Sequence, residues 1–130
     1  MNFYEYSVRY NPPIPICELF LGPAGYESTF GPLEAIIDTG ADITVVPMEY
    51  LHQIGAKRIS RGRARSLWGD ARDVNVYAIS LRLNGLQFAA LQVLADDLGD
   101  EIVVGRTVLN RLKVVLDGPA MITEMVFNGS

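Results

Sequence analysis

Short apolar runs alternate with Gly, Pro, Asn and Asp along the whole chain. Runs of four to eight residues that are rich in Val and Ile and bounded by turn residues are typical of β-strands. The pattern predicts separate strands at residues 14–21, 33–37, 43–46, 113–116 and 121–127. We therefore expect a mostly β protein with little helix.

Two hairpins are predicted in the middle of the chain. The first spans residues 57–78, with arginines at alternate positions of its first strand and a turn near Gly69-Asp70. The second joins residues 77–83 to residues 86–90 through Asn84-Gly85, a pair that tolerates positive φ. The Gly-Pro-Ala-Gly segment at residues 22–25 is expected to turn the chain after the first predicted strand.

One or two short helices complete the expected fold. Residues 47–54 begin with Pro, which suits the first helical turn, and apolar residues then recur at helical spacing before Gly55. A second short helix is expected at about residues 107–112. The 130 residues suit a single domain covering positions 1–130, because a chain of this length closes one hydrophobic core.

Composition argues against several classes of function. The net charge of -4 gives no general reason to expect nucleic acid or an anionic membrane as a partner. One basic cluster could suggest nucleic-acid binding despite the negative net charge. No aromatic residues are interleaved with it, however, so we interpret the cluster as a solvated strand face. Its members are Lys57, Arg58, Arg61, Arg63, Arg65 and Arg72.

Cofactor and metal sites also find little support in the residue types. Cys17 and His52 are the only cysteine and histidine, which leaves too few ligands for a structural zinc site and rules out an intramolecular disulfide. The acidic segment at residues 96–101 lacks the spacing of a calcium loop. We therefore expect no metal and no cofactor. A single cysteine suits a reducing compartment, residues 1–10 lack the apolar core of a signal peptide, and no apolar stretch is long enough to span a membrane, so we expect a soluble, cytoplasmic protein.

Asp38 is the strongest candidate for chemistry. It ends an apolar run directly before Thr39 and Gly40, and a carboxylate placed in a tight turn after a buried strand is energetically costly. The neighbouring hydroxyl and backbone can donate hydrogen bonds to it, which suits acid-base catalysis. The tripeptide alone would also fit an ordinary turn, so its context has to decide.

That context resembles the active-site segment of retropepsins, the retroviral proteases and their cellular relatives. The similar stretch is Ala35-Ile36-Ile37-Asp38-Thr39-Gly40-Ala41-Asp42-Ile43-Thr44. A second similar stretch, Ile102-Val103-Val104-Gly105-Arg106 followed by the expected helix, looks like the family's apolar-apolar-Gly-Arg element. The resemblance covers roughly residues 15–116 and implies a closed, orthogonal β-barrel of the retropepsin type.

The resemblance also implies roles for individual residues. Thr39 would hydrogen-bond across a dimer, and Gly40, Ala41 and Asp42 would line the cleft. An ion pair between Asp42 and Arg106 would fix the turn, and Gly105 would allow the second motif to pass close behind it. A flap would cover the substrate, with Trp68, Gly69 and Asp70 at its tip; the alternative for Trp68 is a position in the hydrophobic core. Ile43 replaces a second acidic residue of some retroviral members, which favours an apolar cleft.

The number of catalytic carboxylates sets the expected assembly. Aspartic proteases use two carboxylates that share one proton, whereas this sequence has a single Asp-Thr-Gly. The resemblance therefore implies a homodimeric aspartic endopeptidase that acts on peptides or proteins through Asp38 of each copy. Residues 3–10 and 121–127 are candidates for its interface. The alternative is a catalytically silent retropepsin-fold module for dimerisation or peptide binding.

Overall fold

Ten β-strands and two short helices make up the described part of the computed structural model, which is residues 3–65, 69 and 71–127. The strands are β1 (Phe3–Glu5), β2 (Ile16–Pro23), β3 (Phe30–Ile37), β4 (Val45–Pro47), β5 (Lys57–Arg65), β6 (Ala71–Leu83), β7 (Leu86–Asp96), β8 (Ile102–Val104), β9 (Lys113–Asp117) and β10 (Ile122–Val126). The helices are α1 (Met48–Gln53) and α2 (Arg106–Leu109). The mostly β class is confirmed.

Six of the strands close into a barrel. They are hydrogen-bonded in the order β2-β3-β8-β4-β7-β6, and β6 pairs back onto β2. The β3–β8 and β4–β7 pairs are parallel, whereas β2–β3, β2–β6 and β6–β7 are antiparallel. Within the described residues β5 pairs only with β6, so the β5–β6 hairpin extends from the barrel wall. The closed barrel predicted above is confirmed.

Alternating side chains fill this barrel. Successive residues of a strand point to opposite faces of the sheet, so every second position can face the interior. The fully buried apolar side chains follow that rule on β2, with Cys17, Leu19 and Leu21, and on β6, with Ile79, Leu81 and Leu83. Burial of these apolar side chains is the main stabilising contribution to the fold.

The remaining strands form a three-stranded sheet in the order β1-β10-β9. Thr123 and Met125 of β10 are fully buried on one face of this sheet. The Tyr4 hydroxyl donates a hydrogen bond to Oδ1 of Asn84 at 2.7 Å, which ties β1 to the β6–β7 turn of the barrel. The two terminal segments considered above as interface candidates thus pair with each other inside one chain.

Both predicted hairpins are present. Asn84 adopts a φ of 52° in the two-residue turn between β6 and β7, a conformation that Asn tolerates better than most residues. The first predicted helix is also confirmed as α1, and Gly55 follows it with a φ of +68°. The second helix begins one residue earlier than predicted and ends at Leu109, after which hydrogen bonds of the i to i+3 type continue to Leu112.

The turn predicted at residues 22–25 is wrong in its first half. Gly22 and Pro23 remain in β2 and pair with Ser80 and Ile79 of β6. A Cβ on Gly22 would lie 2.1 Å from the carbonyl oxygen of Glu27. This glycine is therefore required for close backbone approach, and its presence in the sequence was mistaken for a turn signal.

Candidate active site

The backbone around Asp38 forms a hydrogen-bonded turn at the end of β3. The Asp38 N–H donates to the carbonyl oxygen of Val104 at 3.0 Å, which continues the β3–β8 pairing for one more residue. The Ala41 N–H donates to the Asp38 carbonyl at 3.2 Å and closes the turn. The Gly40 N–H donates to Oδ1 of Asp38 at 2.9 Å. The carboxylate is therefore fixed by its own turn.

The Asp38 side chain remains accessible in the single chain. Asp38, Thr39 and Gly40 are all exposed, whereas Ile37 directly before them is buried. The expectation of a costly buried carboxylate is thus wrong for one isolated copy, because the chain turns out of the barrel wall at Asp38. A carboxylate that is held at one oxygen and open to solvent can accept further hydrogen bonds.

The second motif packs directly behind this turn. A Cβ on Gly105 would lie 2.6 Å from the carbonyl oxygen of Ile43 and 2.9 Å from that of Ala41, so a side chain has no room there. The Arg106 N–H donates to the Ala41 carbonyl at 2.8 Å. The predicted close approach is confirmed, and its contacts are to Ala41 and Ile43.

Arg106 connects the two motifs through its side chain as well. Its guanidinium donates to the carbonyl oxygen of Thr39 at 2.8 Å and forms the predicted ion pair with Asp42. The Thr107 N–H donates to the Asp42 carbonyl at 3.2 Å. Because both partners of the ion pair are exposed, it is worth only about 0.2–1 kcal/mol, and its main effect is to orient the turn.

Thr44 supports the site in a way that the sequence interpretation missed. Its side chain is fully buried, and its Oγ1 accepts a hydrogen bond from the Gly105 N–H at 3.1 Å. Its carbonyl accepts a hydrogen bond from the Leu94 N–H at 3.0 Å. A lone hydroxyl among the apolar residues at positions 43–46 was the available signal, since buried polar groups are almost always hydrogen-bonded.

The predicted flap tip lies partly outside the described residues. Trp68 and Asp70 are not among them, whereas Gly69 is described and has a φ of +88°. Strands β5 and β6 on either side form the predicted long hairpin, with Arg65 opposite Ala71 as the last register pair. A roof over Asp38 formed by Trp68, Gly69 and Asp70 stays a prediction.

Other candidates for chemistry are weak in the described part of the chain. Burial raises the pKa of the Cys17 thiol to about 12, so it is protonated near neutral pH and unsuited to nucleophilic attack. His52 is exposed on α1. Among the described residues, no three His, Cys, Asp or Glu side chains are arranged to hold a metal ion. Likewise, no described helix has the length and apolar character needed to cross a membrane.

The two motifs and both hairpins fall within one family model. The family is described as "gag-polyprotein putative aspartyl protease", and its model matches residues 30–111, more than half of the chain. The chain belongs to this family. No curated protein matches the sequence.

Solved retropepsin-like proteins share the fold. The retropepsin-like aspartic protease from Rickettsia conorii superposes with a TM-score of 0.68 at 13% identity, over 96% of this chain and 89% of that one. The EIAV protease complexed with the inhibitor HBY-793 superposes with a TM-score of 0.56 at 18% identity, over 75% of this chain and 86% of that one. The retroviral protease-like domain of Ddi1 from Leishmania major superposes with a TM-score of 0.52 at 14% identity, over 90% of this chain and 97% of that one. The barrel is therefore of the retropepsin type.

Proposed function

We propose that this protein is an aspartic endopeptidase whose active site combines Asp38 from each of two identical chains. One observation carries the proposal: the Asp38 turn is bonded to the second motif through the backbone and the guanidinium of Arg106, which also pairs with Asp42. These bonds hold the turn that carries the Asp38 carboxylate more firmly than an ordinary surface turn requires. Membership of an aspartyl protease family supports the same conclusion.

The chemistry needs one ionised and one protonated carboxylate. Two carboxylates about 3 Å apart share a single proton, because both cannot ionise easily. The ionised Asp38 takes a proton from a water molecule whose oxygen bonds to the scissile carbonyl carbon, while the protonated Asp38 of the second copy gives its proton to the carbonyl oxygen. The tetrahedral intermediate then collapses: the C–N bond breaks, the proton taken from water passes to the leaving amine nitrogen, and a hydroxyl proton of the intermediate returns to the dyad. The Gly40 N–H holds each carboxylate at Oδ1 and leaves the other oxygen for this exchange.

A homodimer is part of the proposal because the chain has one Asp-Thr-Gly segment. The Asp-Gly pair at residues 117–118 lacks the hydroxyl residue and spans the end of β9 and the start of the turn that follows. A second copy related by a two-fold axis supplies the missing carboxylate and covers the exposed Asp38 turn. The substrate then binds in the cleft between Gly40, Ala41 and Asp42 of the two copies, beneath the β5–β6 hairpins.

The proposal is tested with purified protein and a library of peptides that carry apolar residues at the scissile bond. We expect cleavage that a statine-type transition-state mimic blocks. The Asp38→Asn variant should lose activity by about 10²–10⁴-fold, because Asn cannot exchange the proton. The matched control is Asp97→Asn, which makes the same change at an exposed residue of the loop after β7.

Two outcomes contradict the proposal. Equal cleavage by the native protein and Asp38→Asn would mean that the activity belongs to another protein or another site. Binding of the statine-type mimic without cleavage of any peptide would instead support the catalytically silent peptide-binding module.

A further inference from the structure

Positive charge is concentrated on one segment of an otherwise acidic chain. Residues 57–73, which include β5 and the start of β6, contain six Lys or Arg and two Asp. The rest of the chain contains five Lys or Arg and thirteen Asp or Glu. The hairpin is thus a local positive region on a negatively charged protein, and the net charge of -4 conceals it.

A β-bulge places three of these arginines on the same face of the hairpin. Arg58 pairs with Tyr77 and Ser60 with Val76, so Ile59 is an extra residue in β5. Simple alternation would put Arg58 and Arg61 on opposite faces, since they are three positions apart. The bulge shifts this alternation by one residue, so that Arg58, Arg61 and Arg63 share one face. Their register partners on β6 are Tyr77 for Arg58, Asn75 for Arg61 and Asp73 for Arg63.

This basic face is the side of the hairpin that continues the barrel interior. Its β6 members are Asp73, Asn75 and Tyr77, and the same alternation leads on to Ile79 and Leu81. Ile79 and Leu81 are fully buried inside the barrel, and Tyr77 packs against the core. The face that carries the three arginines is therefore the inner face of the hairpin.

Most of the charge on this face is not neutralised within the described residues. Arg63 lies 3.7 Å from Asp73, but both side chains are largely exposed, so the pair is weak and can open. Arg58 and Arg61 have no ion pair in the described ranges 3–65, 69 and 71–127. All three arginines line a cleft of about 400 Å³, together with Asp73 and Asn75 of the same face.

We propose that the basic face formed by Arg58, Arg61 and Arg63 selects peptide substrates that carry Asp or Glu near the apolar residues of the scissile bond. The inference rests on the proposed endopeptidase function, in which the hairpin covers the cleft. Guanidinium groups bind carboxylates through charge-assisted, often paired hydrogen bonds. Same-face residues of a strand are about 7 Å apart, so Arg61 and Arg63 can bind two different carboxylates.

An acidic peptide fits this surface better than a nucleic acid. A long polyanion would extend past the hairpin and meet the acidic remainder of the chain, which repels it. A short peptide with one or two carboxylates contacts only the basic face. Non-specific nucleic-acid binding also requires several phosphate contacts along a positive track, and outside the hairpin the chain has more acidic than basic residues.

The test uses two peptides that differ only in having Glu or Gln at the positions flanking an identical apolar cleavage site. For the native protein we expect kcat/KM to be about three- to tenfold higher for the Glu peptide at low salt, since each exposed pair contributes modestly. The preference should shrink in 0.5 M salt, because ions screen exposed charges. In the variant R58Q/R61Q/R63Q the ratio of the two rates should fall to about one.

The matched control is Arg82→Gln, which removes an exposed arginine from β6, on the face opposite to that of Ile79 and Leu81. It should keep the preference for Glu. Peptide binding to Asp38→Asn is measured in parallel by fluorescence anisotropy, so that a preference can be detected even without cleavage. The inference is overturned if the active native protein treats both peptides alike, or if neither cleavage nor binding distinguishes them.

Nucleic acid is the remaining outcome of the same experiment. A single-stranded oligonucleotide that binds more tightly than the Glu peptide, and loses this binding in R58Q/R61Q/R63Q, would replace the peptide proposal with a nucleic-acid one. A complete lack of cleavage together with preferred binding of the Glu peptide would leave the selectivity standing and reject the endopeptidase function.

Discussion

Single polar groups around Asp38 fix the site more than bulk packing does. The Gly40 N–H donates to the Asp38 carboxylate, and the Thr44 hydroxyl accepts a hydrogen bond from the Gly105 N–H. The Arg106 guanidinium donates to the Thr39 carbonyl and forms an ion pair with the Asp42 carboxylate. Two of these groups, Asp42 and Arg106, are exposed and can exchange their bonds with water. The Thr44 hydroxyl is fully buried and cannot, so its contribution to the stability of the site should be the largest of the set.

Replacing Thr44 with Val tests this argument, because the two side chains have nearly the same shape. The substitution leaves the buried Gly105 N–H without its acceptor, and we expect the free energy of unfolding to fall by about 1–3 kcal/mol. The measurement is urea-induced unfolding. Thr44→Ser, which keeps the hydroxyl, is the matched control and should be the more stable of the two variants. A Thr44→Val protein as stable as the native one would show that the hydrogen bond contributes little.

At the scale of elements, the β5–β6 hairpin is separable from the barrel. In the six-stranded barrel, β6 pairs with β7 from Val76 onward and also with β2. Strand β5 is not one of the six barrel strands. The described side chains of β5 are largely exposed, apart from Gly62. The hairpin therefore contributes little buried apolar area, and we expect its role to lie in covering the cleft.

Excision of residues 60–75, with Asn-Gly joining Ile59 to Val76, tests this separation. The shortened chain should still unfold in one cooperative transition by circular dichroism, because the barrel remains closed. Peptide cleavage should fall by about 10²-fold or more, since the substrate loses the element that holds it in position. Loss of cooperative unfolding would show instead that the hairpin is needed for the fold.

The elements that the sequence predicts well are those with local signals. Asn84-Gly85 marks its turn because few residue pairs tolerate positive φ, and Pro47 and Gly55 bound α1 at either end. The pairing of β6 with β2 and of β3 with β8 joins segments far apart in the chain, and no local pattern encodes it. Gly22 resembles a turn residue in the sequence for the same reason, because only folding of the backbone brings Glu27 close to it.

In the candidate site, too, the contacts between segments far apart in the chain are not encoded by a local pattern. Asp38 stands out from its position after an apolar run, but its link to a motif 64 or more residues later was predicted from the resemblance to retropepsins. The ion pair of Asp42 with Arg106 is therefore a confirmed prediction of the resemblance, not of the spacing. Thr44 lies within the resembling segment, but its hydrogen bond to Gly105 is not predictable there, because a hydroxyl in an apolar run does not reveal its partner.

At the scale of the whole molecule, β9 is an edge strand that a second copy could use, because among the described residues it pairs only with β10. Like β1 on the other side, it forms an edge of the β1-β10-β9 sheet. Val115 and Leu116 on this edge are 39% and 48% exposed, and unpaired edge strands with apolar side chains favour pairing with another chain. An antiparallel pair of β9 strands centred on Val115 places Lys113 of each copy opposite Asp117 of the other.

This self-complementary arrangement predicts a charge-swap result for the proposed homodimer. Lys113→Asp or Asp117→Lys alone puts like charges opposite each other at both ends of the paired strands, and we expect the dimer dissociation constant to rise about tenfold or more. The double variant K113D/D117K restores opposite charges and should recover most of the affinity, as measured by sedimentation velocity. Asp97→Lys, with the same change of charge in an exposed loop, should have little effect. If the double variant dimerises as poorly as the single ones, the two copies do not pair through β9, and the carboxylates of Asp38 must be brought together by another surface.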